Sequence, residues 1–164
     1  MEKNTSFRKA EPKDVGLILH FIRLLAEYER LASEVTATEE ILREWIFEKH
    51  AAEVIFAMQE GKEVGFALYF FNFSTFTGRA GLYLEDVFVL PEWRGKGIGK
   101  GLFAHLAGLA HQMGCGRMEW ICLDWNAPSI AFYKSLGAIQ MSDWTIHRLH
   151  LEQLPIVAGT KTTD

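Results

Sequence analysis

A chain of 164 residues, 49% hydrophobic and 23% charged, can bury one good-sized core and has the composition of a soluble globular domain, not of a fibrous or disordered one. Its formal net charge of -4 argues against a nucleic-acid partner, and its most apolar helical stretch, 15–26, carries His20 and Arg23 and is too short to cross a bilayer. Cys115 and Cys122 make no disulfide framework and the opening MEKNTSFRKAEPKD is too polar for a secretion signal, so no membrane partner is expected and the expected location is cytoplasmic.

In chain order, residues 7–10 form a short strand candidate ended by Glu11-Pro12. Asp14 is placed to cap a helix in which Val15, Ile18, Leu19, Ile22, Leu25 and Tyr28 recur at helical spacing. Thr36-x-x-Glu39 resembles a capping box for a second helix, with Ile41, Leu42, Trp45 and Ile46 on one face. Residues 54–58 and 64–73 flank Glu60-Gly61-Lys62 and read as a hairpin; 82–90 reads as a further strand. Leu102, Phe103, Leu106, Leu109, Ala110 and Met113 mark a long helix from Ile98, stopped by Gly114. Residues 118–123 predict a buried strand, 128–136 a short helix, 145–151 a last strand, and the tail from 155 to 164 reads as loose. No linker or repeat interrupts this order, so 1–164 reads as a single domain. The fold class is mixed α/β, antiparallel strands first and a β-α-β unit late, and not a doubly wound sheet.

The apolar strand ending at Leu90 runs into a turn with glycines at 95, 97, 99 and 101, directly before the long helix. A helix N-terminus offers unpaired N–H groups and a partial positive charge, and glycine lets that backbone approach a bulky anion. Arg94, Lys96 and Lys100 against Glu92 make a basic spot in an acidic chain, which suits an anionic cofactor. A G-x-G-x-x-G fingerprint fails, since the sixth position is Lys100 counted from Gly95 and Leu102 counted from Gly97. A P-loop fails because Lys96 and Lys100 are each followed by glycine. What remains is Arg94-x-x-Gly97-x-Gly99; its bland reading is a glycine-rich turn capping a helix.

Glu85 and Asp86 interrupt an apolar strand, where an unpartnered carboxylate is costly. In a regular strand Glu85 lies with Tyr83 and Val87, and Asp86 with Leu84 and Phe88. Downstream, Trp125-Asn126-x-Pro128-Ser129-Ile130-x-Phe132-Tyr133-Lys134-x-x-Gly137-Ala138 is a composite signal. Alone, Tyr133 reads as a core aromatic and Asn126 as a cap or turn residue. The six histidines show no metal spacing, so no metal is expected, and Cys122 in its apolar run reads as core.

Taken together, Arg94-x-x-Gly97-x-Gly99 and the segment from Asn126 to Ala138 resemble the two acyl-CoA motifs of the Gcn5-related N-acetyltransferase (GNAT) superfamily. Leu25-Ala-Glu-Tyr28-Glu29 and Tyr83-Leu-Glu85-Asp86 are similar to its spermidine/spermine (diamine) and thialysine acetyltransferase branch. The resemblance covers about 7–151. It is weaker at 73–81, and the segment after Ala138 is shorter than in the polyamine enzymes, both regions that border the substrate in that branch.

The resemblance implies the GNAT fold, a largely antiparallel mixed sheet flanked by helices, and acetyl-CoA as cosubstrate. Carried over residue by residue, Tyr28, Glu29, Glu85 and Asp86 would contact the amine. The backbone of Val87, Phe88, Val89, Gly95, Lys96, Gly97, Ile98, Gly99 and Lys100, with Arg94, would hold pantetheine and pyrophosphate. Asn126, Pro128 and Ser129 would complete the cofactor site. An alkylamine arrives protonated, so Glu85 would attract it and take its proton through water, and Tyr133 would be the acid to the departing thiolate. The implied activity is acetyl transfer to a small primary amine by direct attack, in a homodimer. The alternatives are a non-catalytic acyl-CoA-binding module and a protein or peptide N-acetyltransferase.

Overall fold

Runs rich in β-branched and aromatic residues become strands through the first two thirds of the chain, and they share one sheet. The computed structural model describes residues 5–160, which divide into two compact units with the boundary between Leu123 and Asp124. In the first unit the strands are β1 (Ser6–Lys9), β2 (Glu53–Gln59), β3 (Lys62–Ser74), β4 (Arg79–Val89) and β5 (Arg117–Glu119), in that spatial order. The first four are antiparallel and β5 runs parallel to β4, because the long helix α3 (Ile98–Gln112) carries the chain back between them. This is the mixed α/β fold expected. The β2–β3 turn is tight: Glu60 and Gly61 both take positive φ, the geometry that matches the twist of the flanking strands.

α1 (Val15–Tyr28) lays its apolar face on one side of the sheet. Ile18 and Phe21 join Phe56, Phe66 and Phe88 in one buried cluster, where the Phe21 and Phe66 rings stack at 5.2 Å. Each such side chain contributes about 1.5–3 kcal/mol on leaving water. α3 follows β4, and Phe7 of β1 reaches it, its ring 4.9 Å from that of His105. Gly101 permits that approach, since a Cβ there would lie 3.0 Å from Phe7.

The second helix differs from expectation. Its N-cap is Thr38, not Thr36, whose hydroxyl accepts from the Ile41 N–H at 3.3 Å; position N3 is therefore Ile41, and no reciprocal carboxylate box forms. After one turn, α2 (Glu39–Leu42) widens into a π-helix at Arg43–Glu48. The longer period breaks the expected face: Ile46 is buried, while Ile41 and Trp45 are turned to solvent.

β5 is also shorter than the strand expected over 118–123. Its ladder with β4 spans Gly81–Tyr83 and stops before an irregularity in β4; beyond it Trp120 packs its ring on Phe103 at 5.0 Å.

The second unit holds α4 (Ala127–Ser135), close to the helix expected, and the one-turn α5 (Leu154–Val157), which the sequence reading of a loose tail did not include. Residues 161–164 of that tail lie outside the described residues. The strand expected over 145–151 does not form: Ile146, Leu149 and Leu151 are exposed and join no ladder. Apolar residues there do not alternate strictly, and a strand without a partner has no backbone hydrogen bonds to gain.

Candidate functional site

The irregularity in β4 is a bulge at Glu85. Along the ladder with β3, Tyr69 faces Leu84 and Leu68 faces Asp86, so Glu85 has no opposite number. The extra residue shifts the alternation of side chains by one. The pairing expected for a regular strand is thereby corrected: Asp86 shares its face with Phe88 and Tyr83, the face on which α1 packs, and Leu84 turns to the other side. Glu85 is exposed and Asp86 half-buried.

The bulge gathers carboxylates. Burial, then the charges of Glu85 and Glu29, push Asp86 up to about 7. Glu29, at the C-terminal end of α1, is itself raised by burial. Burial, then Glu85 and Glu119, raise the Tyr83 hydroxyl. Of the four expected substrate contacts, Glu29 and Glu85 are thus both within electrostatic reach of a third, Asp86. No lysine or arginine acts among the causes of these shifts. The fourth, Tyr28, packs its ring edge-on to Phe88, with centroids 6.4 Å apart.

The glycine-rich turn follows β4 through a single 3₁₀ turn at Pro91–Trp93. Gly95 and Gly97 have φ of +71° and +80°, conformations open to glycine, and a Cβ at either would meet nothing within 4 Å. Gly97 is the N-cap of α3, so the N–H groups of Ile98, Gly99 and Lys100 open the helix without intrahelical partners. The backbone here fits a bulky anion. Two of the cations are engaged: the Arg94 guanidinium lies over Tyr28 and Phe88 and donates to the Val89 carbonyl at 2.9 Å, and Lys96 donates to the Glu92 carbonyl at 2.9 Å above the Trp93 ring. Arg94 therefore ties the start of the loop to α1. Beyond the bulge, Val87, Phe88 and Val89 pair with β3 on one side, while the β5-side edge of β4 has no ladder partner among the described residues.

In the second unit, Asn126 is buried and caps α4, accepting from the Ser129 N–H at 3.3 Å. Pro128 sits in the first turn, where its missing N–H costs nothing. Tyr133 lies near the end of α4, its ring 5.6 Å from that of Phe132. Among the described residues no group of three or more His, Cys, Asp or Glu side chains could hold a metal ion, and no helix is long and apolar enough to cross a membrane.

Sequence reasoning placed Tyr83 beside Glu85; it missed the bulge that puts Tyr83 on the face of Asp86 instead, and it missed Glu119, which pairs with Tyr83 from β5. A second interruption of an apolar run, Glu119 between Met118 and Trp120, was the available signal.

Comparison with known proteins is consistent across the chain. The acetyltransferase (GNAT) family profile matches residues 19–138. A thialysine N-epsilon-acetyltransferase of Sus scrofa is 39% identical, covering 93% of this chain and 96% of the relative; that of Mus musculus is 38% identical, covering 95% and 98%. The structure of an integron cassette protein from the mobile metagenome of V. cholerae superposes with a TM-score of 0.77 at 29% identity, covering 94% of this chain and 97% of that one.

Proposed function

The chain belongs to the GNAT family of acetyltransferases and has its fold, and on that premise we propose that it transfers the acetyl group of acetyl-CoA to a small primary amine of the polyamine, diamine or thialysine class. The observation that carries the amine is the carboxylate cluster at the β4 bulge, Glu29, Glu85 and Asp86, against which no lysine or arginine acts among the described residues; burial, then the charges of Glu85 and Glu29, push Asp86 up to about 7. A protonated amine supplies the missing charge. Names of similar proteins point the same way, two of them being thialysine N-epsilon-acetyltransferases.

The backbone of the turn, Gly95 through Lys100 with the cation of Lys100, cradles the pyrophosphate at the start of α3. The open edge of β4 along Val87, Phe88 and Val89 offers N–H and C=O groups to the pantetheine arm, and an N–H there polarises the thioester carbonyl. Arg94 holds this loop to α1. Asn126, Pro128 and Ser129 complete the cofactor site. The family profile crosses the boundary between the two units, which supports one catalytic domain built from both.

Glu85 and Asp86 draw in the ammonium and take its proton, Glu85 through water; Asp86, pushed up to about 7 by burial first, changes charge near working pH. The freed nitrogen attacks the thioester carbon, the carbon–sulfur bond breaks, and Tyr133 gives its proton to the departing thiolate. No covalent link to the protein forms.

The protein works in the cytoplasm, where its two free thiols, Cys115 and Cys122, remain reduced, and it pairs as a homodimer. Phe73 and Phe76, 63% and 93% exposed, support a surface that needs cover. Light scattering tests this: a mass near one 18.7 kDa chain at every concentration rejects the dimer.

The test of the activity is consumption of acetyl-CoA against free monoamines, diamines, ω-amino acids and short peptides. Turnover with free amines, abolished together with acetyl-CoA binding in a folded Gly97→Asp variant, is expected. Turnover with peptides alone, or binding without turnover, overturns the reading.

A further inference from the structure

The short strand β5 is held by more than its ladder. It sits at the edge of the sheet, and its ladder with β4 has three rungs: Gly81 with Arg117, Leu82 with Met118, and Tyr83 with Glu119. At the last rung Glu119 Oε2 accepts from the Arg117 Nε at 2.9 Å and from the Asn72 Nδ2 at 3.2 Å. Asn72 belongs to β3, where its ladder partner is Gly81. Its side chain therefore reaches across β4 to β5, over a position that has no side chain. A Cβ on Gly81 would lie 2.5 Å from Asn72 Oδ1 and 2.9 Å from the Arg117 side chain. The reach has a cost, since Asn72 Oδ1 is buried with no partner among the described residues. Successive residues of a strand point to opposite faces, so Trp120 turns the other way and packs on Phe103 of α3, with ring centroids 5.0 Å apart. β5 is thus fastened from both faces of the sheet where its ladder ends.

That rung is the closed end of a wedge. Paired strands lie about 4.8 Å apart, so a paired rung admits no chain between them. Past Tyr83 the β5-side edge of β4 has no ladder partner among the described residues and stays open through the bulge to Val89. With pantetheine along Val87, Phe88 and Val89, the acyl group lies at its leading end, toward Tyr83. Three ladder steps on β3, from Ala67 to Phe70, separate the partner of Val87 from that of Tyr83, about 10 Å of strand. How far an acyl chain advances depends on where the wedge closes. One rung is about 3.3 Å, the length of roughly two carbon–carbon bonds.

We propose that Asn72 and Glu119 are positioning residues that set acyl length: by fixing the last β4–β5 rung at Tyr83, they admit acetyl and exclude chains longer by two carbons, such as butyryl. This rests on the acetyl-transfer reading and adds to it what limits the acyl donor, not the amine. Neither side chain has to touch the cofactor. Without the link across β4, a three-rung edge ladder frays from its open end, and the loss of one rung makes room for butyryl. Asn72 carries no charge and stands on β3, away from the open edge, so its removal reaches the donor only through β5.

The test compares binding of CoA, acetyl-CoA, propionyl-CoA and butyryl-CoA by calorimetry in the wild type, Asn72→Ala and Gly81→Ala, and then kcat/KM for the three acyl donors with cadaverine as the fixed acceptor. Gly81→Ala keeps every group of the link and forces Asn72 and Arg117 off it. The readout is the butyryl-to-acetyl ratio, because a merely structural role lowers all donors together. The wild type favours acetyl-CoA over butyryl-CoA by about tenfold or more, the scale on which a pocket rejects extra methylenes. In both variants the ratio, in Kd and in kcat/KM, shifts toward butyryl by more than twofold, and by about tenfold where the rung is lost outright, while CoA binds as in the wild type. Should either variant fail to fold, Glu119→Gln, which weakens the link and keeps its volume, is read by the same ratio. A ratio within twofold of the wild type in the folded variants, or a wild type that binds butyryl-CoA as well as acetyl-CoA, overturns the role and leaves the acetyltransferase reading standing. The binding ratio needs no turnover, so failure of the amine reading alone leaves it readable; a wild type that binds no CoA overturns both.

Discussion

Two clusters of charge sit on this sheet and have opposite characters. At β1, Arg8 holds Asp14 through two hydrogen bonds at 2.7 and 3.0 Å, bonds Glu63 at 2.7 Å, and lies over the Phe56 ring at 4.7 Å. There the buried Asp14 is held below the usual carboxylate range, first by the Arg8 hydrogen bond, and its Oδ2 also accepts from the Glu11 N–H at 2.8 Å. At the β4 bulge, burial first and then the charges of Glu85 and Glu29 raise Asp86 to about 7. The same residue type is saturated in one place and short of a cation in the other. Saturation serves the fold. A missing cation leaves a place for a cationic ligand, and the cost of leaving it open falls on stability.

The sharpest way to break this contrast is Asp86→Asn. If Asp86 takes part in proton removal, turnover falls by about 10²- to 10⁴-fold at neutral pH, and the rise of kcat/KM toward an apparent pKa near 7 disappears. A loss under threefold with an unchanged pH profile assigns the proton to Glu85 alone.

Arg8→Leu should act on stability instead. It strands Asp14 and Glu63, one of them buried, and should cost about 2–3 kcal/mol in urea unfolding while kcat in the folded enzyme stays close to wild type. A change below about 0.5 kcal/mol would show that the β1 cluster is surface decoration.

The two clusters should also answer pH with opposite signs. Asp14, its pKa depressed, contributes stability above its unfolded value that is lost as pH falls through the folded value. Asp86, its pKa raised, costs nothing below about 3.8 and progressively more as pH climbs to about 7, after which the cost is constant. Asp86→Asn should therefore match wild-type stability near pH 4 and exceed it by about 1–2 kcal/mol at pH 8, the shift being discounted for solvent screening. A stability difference independent of pH between 4 and 8 would remove the contrast.

The smallest effect is expected from Glu63→Gln. Glu63 is the outer, more exposed partner of Arg8, and its loss should cost about 0.5–1 kcal/mol by thermal or urea unfolding. A larger cost than that of Arg8→Leu would mean that Glu63, and not Asp14, anchors the cluster.

By itself, the sequence determined most of the frame. The hairpin of β2 and β3, helices α1 and α3 and the glycine turn between β4 and α3 follow from period, from Gly61 and Gly97, and from Gly114, whose φ of +69° ends α3 as a helix stop should. These are local signals, each readable within about a dozen residues. The turn with its positive-φ glycines at the start of α3 was legible for that reason, and so were Glu85 and Asp86 as carboxylates out of place. Tertiary structure alone decided which way they point. A bulge is set by how β4 registers on β3, with Tyr69 against Leu84 and Leu68 against Asp86, and nothing in the spelling of β4 records the skipped position. The same holds for the approach of Glu29 to Asp86, far apart in sequence, and for the meeting of Asn72, Gly81, Arg117 and Glu119 across three strands. It holds also for the residues after Glu119 and those at 145–151, where apolar runs read as strands but a strand exists only where a neighbouring backbone meets its N–H and C=O groups.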